Sequence, residues 1–212
     1  MGREGGTGKV SGAHRILNLF AHPAFEKSRV NRRLIEAVRD LRGVTFHDLY
    51  EIYPEFDVDV AREQRLLAEH EIIVFQHPFL WYSTPALVKE WEDLVLEHGW
   101  AYGSQGTTLR GKKLLSAITT GGREDAYRRG GFNRFTIREL LAPIEQTAHL
   151  CGMDYLPPFV VHDTHGMTRD ELARHAGDYR RIITGLRDGR IDLEACRRFP
   201  RINSDPDQIF PD

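Results

Sequence analysis

Glu71-Ile72-Ile73-Val74-Phe75-Gln76-His77-Pro78-Phe79-Leu80-Trp81-Tyr82-Ser83-Thr84-Pro85 joins a short apolar run to a loop that carries three aromatic residues. A run of this length without polar alternation, Glu71 to His77, reads as a strand buried on both faces, the kind found in parallel sheets. Pro78 cannot donate to a strand ladder and stops it. Pro85 suits the first turn of a helix, and from Pro85 to His98 the residues Leu87, Trp91, Leu94 and Val95 form one apolar face. Buried strand, loop and amphipathic helix in that order make one β-α unit of a parallel α/β sheet.

The same unit repeats on both sides of this stretch. Towards the N-terminus, Arg15 to Ala21 reads as a first strand and Arg29 to Arg42 as a helix, with Val30, Leu34, Ala37, Val38 and Leu41 at helical spacing, Ser28 as its cap and Gly43 as its stop. Val44 to Leu49 reads as the second strand, followed by a short polar helix from Val60 to Glu69. Towards the C-terminus, Lys113 to Thr120 is the fourth strand, and Phe135 to Cys151 is a helix ending at Gly152 that Pro143 should kink or split. Tyr155 to His162 holds a fifth strand starting after Pro158, and Thr168 with Glu171 forms a capping box for a last helix bearing Leu172, Ala176, Tyr179, Ile183 and Leu186. The expected fold is α/β: a flavodoxin-like, doubly wound, five-stranded parallel sheet with helices on both faces. Residues 1–13, rich in Gly and polar groups, read as a flexible N-terminal extension, 14–189 as the domain, and 190–212, with three prolines and little periodicity, as a C-terminal tail.

Composition excludes several classes of function. A formal charge of -2 with acids and bases intermixed gives no footprint for nucleic acid. Cys151 and Cys196 stand 45 positions apart, which matches neither a redox pair nor a zinc cluster and fits a reducing cytoplasm. No run reaches the roughly 18 apolar residues of a membrane span. Gly5-Gly6-Thr7-Gly8-Lys9 departs from a phosphate loop, since Arg3 stands where its first glycine belongs and Val10 where its Ser or Thr belongs. His162-Asp163-Thr164-His165 offers two ligands without a third at known spacing, so it reads as a polar loop and no metal is expected.

Open α/β sheets bind ligands at the carboxyl ends of their strands, where the topology reverses. After strand one, the loop His22 to Asn31 runs into a helix N-terminus, where unpaired N–H groups and the helix dipole favour a phosphate, with donors on His22, Ser28 and Asn31. Phe79, Leu80, Trp81 and Tyr82 after strand three offer aromatic walls for a flat ligand. Thr119-Thr120-Gly121-Gly122 after strand four presents backbone where side chains are missing.

His22-Pro23 with Ser28 and Asn31, the run Pro78 to Ala86 continuing through Lys89 and Trp91, and Thr119 to Gly122 together resemble the NAD(P)H:quinone oxidoreductase flavoproteins. Glu63-Gln64, Gln76-His77-Pro78, Trp81-Tyr82-Ser83, His98 to Gly103, Cys151-Gly152 and Leu156 to Phe159 are similar to the KefF-type ancillary proteins of glutathione-regulated potassium efflux. The similarity spans about His14 to Leu186. It implies a bound FMN, with FAD as the alternative, NADH or NADPH as electron donor, a quinone-like acceptor and a cytoplasmic homodimer. It places His22, Ser28, Val30 and Asn31 on the phosphate side, and Phe79 to Tyr82 with Thr119 to Gly122 on the ring side. Tyr127 matches a tyrosine that supports charge on the reduced ring, while the position of that family's partner histidine falls on Asn133. A second reading keeps the same pocket in a regulatory flavoprotein that activates a potassium-efflux membrane protein at the inner face of the membrane. A third is a flavin-free binding module of the same fold.

Overall fold

The computed structural model describes residues 13–211, so all of the expected N-terminal extension except Ala13 lies outside the described residues. Four parallel strands, β1 (Ile16–Phe20), β2 (Val44–Asp48), β3 (Ile72–Pro78) and β4 (Lys113–Thr119), lie in the order β2-β1-β3-β4. The fifth position is filled in two pieces, β5 (Asp154–Tyr155) and β6 (Phe159–Val161), which both pair with β4. Pro157 and Pro158 separate the pieces. The strand expected after Pro158 is β6; β5 is an additional piece, cut off from it because a proline has no N–H for the ladder.

Side chains alternate across each strand and sort the helices into two layers. Ile16 and Val74 face α1 (Arg29–Val38) and α7 (Arg169–Arg187). Leu17, Leu19, Ile73, Phe75 and Leu114 face α3 (Val60–Glu69), α4 (Ala86–Val95) and α6 (Ala142–Leu150), with the short helix α2 (Leu49–Ile52) at that layer's edge. The expected doubly wound architecture is the observed one.

Two local expectations change and one is met. α1 closes at Val38, and Gly43, with φ of +84°, serves the turn into β2 instead of the helix end. The helix over Phe135 to Cys151 is split at Pro143, as expected, into α5 (Ile137–Leu140) and α6, because a proline is tolerated only in the first turn of a helix. The segment expected as a tail lies on the chain's own core: α8 (Leu193–Cys196) and a 3-10 turn (Pro206–Ile209) bring Cys196, Ile202 and Ile209 to full burial beside α7. Those apolar residues follow no helical or strand period, so periodicity could not reveal them. Among the described residues no helix is long and apolar enough to cross a membrane.

One charge is built into the α3–α4 layer. Glu63, 0 % exposed, accepts hydrogen bonds from Tyr53 Oη at 2.6 Å, His47 Nε2 at 2.8 Å and Trp91 Nε1 at 2.9 Å. Burial alone would raise its carboxyl, but the bonds from His47, Tyr53 and Trp91 outweigh it and hold the group below the usual range. Trp91, on the apolar face read from sequence, is therefore a core residue with its indole N–H satisfied.

Glu63→Ala strands three buried donors, and urea unfolding should show a loss of about 3–5 kcal/mol. Because Glu63 is more acidic folded than unfolded, its contribution is complete above its unfolded value of 4.5 and is lost as pH falls through the folded value. The stability difference between wild type and variant should therefore shrink on acidification below that value; a difference that stays constant there would contradict the assignment.

Candidate functional site

The chain leaves β1 for one face of the sheet through α1 and leaves β3 for the other through α4, which opens a cleft between their carboxyl ends. Buried amides tie that cleft together from below. Asn18 Nδ2 in β1 and Tyr179 Oη in α7 donate to Gln76 Oε1 in β3 at 2.8 and 3.1 Å. Gln76 Nε2 donates to Asn31 Oδ1 at 3.4 Å, and Asn31 Nδ2 donates to Thr119 Oγ1 at 3.0 Å and Ser28 Oγ at 3.2 Å. Asn31 is thus placed differently from the ligand donor expected of it: it is 1 % exposed and its amide is spent inside the protein, holding Ser28 and Thr119 at the rim.

Ser28 caps α1 as the sequence suggested, accepting the Asn31 backbone N–H at 3.3 Å. Its hydroxyl hydrogen stays available to a ligand. Above it lies a cavity of about 430 Å³ bounded by His22, Lys27, Ser28, Arg29 and Val30 on one side and by Phe79, Thr119, Gly121, Thr164 and His165 on the other. His22 accepts the Ala24 N–H on Nδ1 at 3.1 Å, and burial lowers its pKa, leaving it neutral. Helix N-terminus, hydroxyl, Lys27 and Arg29 together suit an anion.

A second cavity of about 590 Å³ meets the first at Phe79 and Leu80 and continues past Trp81, Tyr82, Gly122, Tyr127, Phe132 and Asn133. Trp81 and Tyr82 both hold positive φ, 51° and 63°, a conformation that costs bulky residues about 1–3 kcal/mol each and persists where surrounding structure imposes it. Phe79 is buried, whereas Trp81 is 93 % exposed and Phe132 89 %. Asn133 accepts the Tyr82 hydroxyl at 3.2 Å, so the position matched to the family's histidine props an aromatic wall.

The two glycines after β4 answer to protein neighbours. A Cβ on Gly121 would stand 3.1 Å from His165 Nε2, and one on Gly122 would stand 3.0 Å from the Tyr127 ring. Tyr127 therefore lies close against the turn, its ring centroid 5.5 Å from that of His162. Burial raises the Tyr127 phenol and a Thr120 hydrogen bond opposes the rise, so it remains protonated at neutral pH. Thr120 Oγ1 donates to Gly122 O at 2.8 Å and lies 3.2 Å from His162 Nδ1. Burial, with Arg201 nearby, pushes the His162 imidazole down to about 4, which leaves it neutral at pH 7. His162 and His165, set aside in the sequence as a polar loop, each line the site; their place directly after the last strand is the signal that marks them. A third cavity of about 960 Å³ opens on the far side of Tyr127, walled by His162, Ile137, Arg138, Pro200 and Arg201.

Comparison with known proteins gives concordant results. A family profile described as a flavodoxin-like fold matches residues 14–183. The glutathione-regulated potassium-efflux system ancillary protein KefF of Klebsiella aerogenes is 45 % identical over 168 residues, 79 % of this chain and 94 % of that protein. The crystal structure of general stress protein 14 from Treponema denticola in complex with FMN is 39 % identical, with a TM-score of 0.78 over 81 % of this chain and 99 % of that one. An NADPH-quinone reductase from P. pentosaceus is 33 % identical, with a TM-score of 0.73 over 79 % and 96 % of the respective chains.

Removing the central amide should loosen the cleft from beneath. Asn31→Ala leaves Gln76 and Thr119 short of partners, and chemical denaturation should register a loss of about 1–3 kcal/mol. A change below about 0.5 kcal/mol, the range of an ordinary surface substitution, would show that the amide chain does not hold the rim.

Proposed function

The chain belongs to the flavodoxin-like family, and on that premise we propose that it is an FMN-dependent NAD(P)H:quinone-type oxidoreductase. The observation that carries this reading is the meeting of two cavities at Phe79 and Leu80, one ending at an anion-suited helix N-terminus and the other between aromatic walls. A flavin mononucleotide has that division of chemistry, a phosphate at one end and a flat ring at the other, and the residues present fit it. Relatives named for FMN and for NADPH-quinone reduction support the same reading.

In this proposal the Ser28 hydroxyl and the N–H groups opening α1 hold the phosphate, with Lys27 and Arg29 adding charge. Val30 keeps its side chain in the core, so its contribution is its backbone. Phe79, Leu80, Trp81 and Tyr82 bound the ring on one side, and the turn Thr119 to Gly122 on the other. Bound flavin would supply the two-electron step that the protein cannot, from a nicotinamide donor to an electron-poor, quinone-like acceptor. Tyr127 holds a proton at its phenol oxygen and offers it as a hydrogen bond where negative charge gathers. His162, neutral at pH 7, orients Thr120, and through it the turn beneath Tyr127.

The exposed Trp81 and Phe132 beside this opening are an apolar surface that a second copy would cover, which supports a homodimer. A cytoplasmic setting fits the two free, buried cysteines. The 45 % identity to a potassium-efflux ancillary protein favours, as a second reading, a regulatory flavoprotein acting on a membrane partner. Both readings share the flavin site and separate on whether the purified chain stimulates an efflux protein in vesicles.

The purified protein should carry flavin absorption bands that bleach when NADH or NADPH is added without oxygen. Protein that remains colourless after reconstitution with FMN or FAD would overturn the proposal. Ser28→Ala should weaken FMN binding roughly 10- to 100-fold by titration, the loss of one hydrogen bond to a charged group. Tyr127→Phe should slow turnover by on the order of tenfold where hydride transfer limits the rate, with FMN affinity unchanged.

A further inference from the structure

The family match stops at residue 183, yet the chain beyond it is packed and bonded. Residues 190–211 are fastened to the domain at several points. Asn203 clamps the sheet edge, accepting the Val160 N–H at 3.1 Å and donating to Val160 O at 2.9 Å, while the Ile202 N–H donates to Pro158 O at 3.0 Å. Phe210 fills the space over Gly185, where an added Cβ would come within 2.5 Å of its ring, and the Arg181 guanidinium sits 4.6 Å above that ring. Arg201, whose side chain is only 18 % exposed, places its guanidinium 2.7 Å from Glu124 Oε1.

That last contact reaches the site. Glu124 opens the 3-10 turn Glu124–Ala126, and the residue closing that turn is Tyr127. The surrounding loop contains Gly121, Gly122, Gly130 and Gly131, so its backbone has little stiffness of its own. Its other outside ion pair, Arg129 with Glu139, has an arginine that is 87 % exposed and fixes little. Pro200 and Arg201 also form one wall of the 960 Å³ cavity that Tyr127 and His162 face.

We propose that residues 190–211 brace the acceptor side of the site, with Arg201 as the positioning residue that holds the Tyr127 turn through Glu124 and walls the cavity beside it. The proposal rests on the oxidoreductase reading for what enters that cavity; the brace itself does not. Because Glu124 is exposed, the pair contributes little to global stability, and its effect on the turn can be separated from unfolding.

The test compares Arg201→Gln, Glu124→Gln, their combination and Arg201→Lys in the full chain. By hydrogen exchange, both single variants should speed exchange at residues 122–127 about fivefold or more while β3 and β4 keep wild-type protection. With 1,4-benzoquinone as acceptor, KM should rise about threefold or more, with kcat and FMN affinity near wild type. The double variant should be no worse than either single, since the two act as one pair, and Arg201→Lys should recover most of the loss. Wild-type exchange at 122–127 in Arg201→Gln would overturn the brace, and faster exchange with unchanged KM would overturn the wall. Wild-type protein that neither binds FMN nor oxidises NAD(P)H would overturn the oxidoreductase reading instead, and exchange on the flavin-free chain would still decide the brace.

Discussion

Asn18, Asn31, Gln76 and Tyr179 place polar groups inside the protein beneath the cleft, and each must find a partner or cost about 1–3 kcal/mol. They find one another. The bonds run from β1 to β3, onward to α1 and then to Thr119 at the end of β4, with α7 joining from above. A hydrophobic contact tolerates sliding, whereas a chain of directed bonds does not. The spacing between Ser28 and Thr119, on either side of the cleft, is therefore set by groups that never touch a ligand. Directed polar networks fix one arrangement in this way, and the anion-suited cavity inherits its shape from it.

The scaffold was legible in the sequence because its signals are periodic. α3 spans Val60–Glu69, the bounds expected of the short polar helix, and the Thr168–Glu171 capping box starts α7 where the pattern placed it. Strand positions followed from short apolar runs. Three features escaped for physical reasons. Glu63 sits on an amphipathic helix, where a charge normally faces water, and only the convergence of His47, Tyr53 and Trp91 from three other elements makes its burial tolerable. The packing of 190–211 depends on single apolar residues at irregular intervals. Asn31 was legible as a polar residue at the right place but not as one turned inward, since orientation is decided by partners 45 and 88 positions away.

The site itself was legible in outline. His22, Ser28, the aromatic loop and the Gly-Gly turn do converge at one edge of the sheet, as strand ends in this topology must. The sequence could not show why glycine occupies both positions of that turn. His165 and Tyr127 stand close to them, so a side chain at either would require the neighbouring ring to give by a few tenths of an ångström. Nor could it show that Asn133, which breaks the family pattern, has a bond of its own to Tyr82.

The Asn203 clamp bears on how copies of this chain can assemble. The outermost lane of a sheet ordinarily presents a row of free amides, a template on which a foreign strand can grow. Here a side-chain amide imitates the neighbouring peptide and takes the Val160 N–H and C=O together. Addition of another strand along β6 would first have to evict residues anchored in the core by Ile202 and Ile209. Association on that flank cannot extend the sheet without that loss, which directs it towards loop and helix surfaces and closes one route to fibre-like polymerisation.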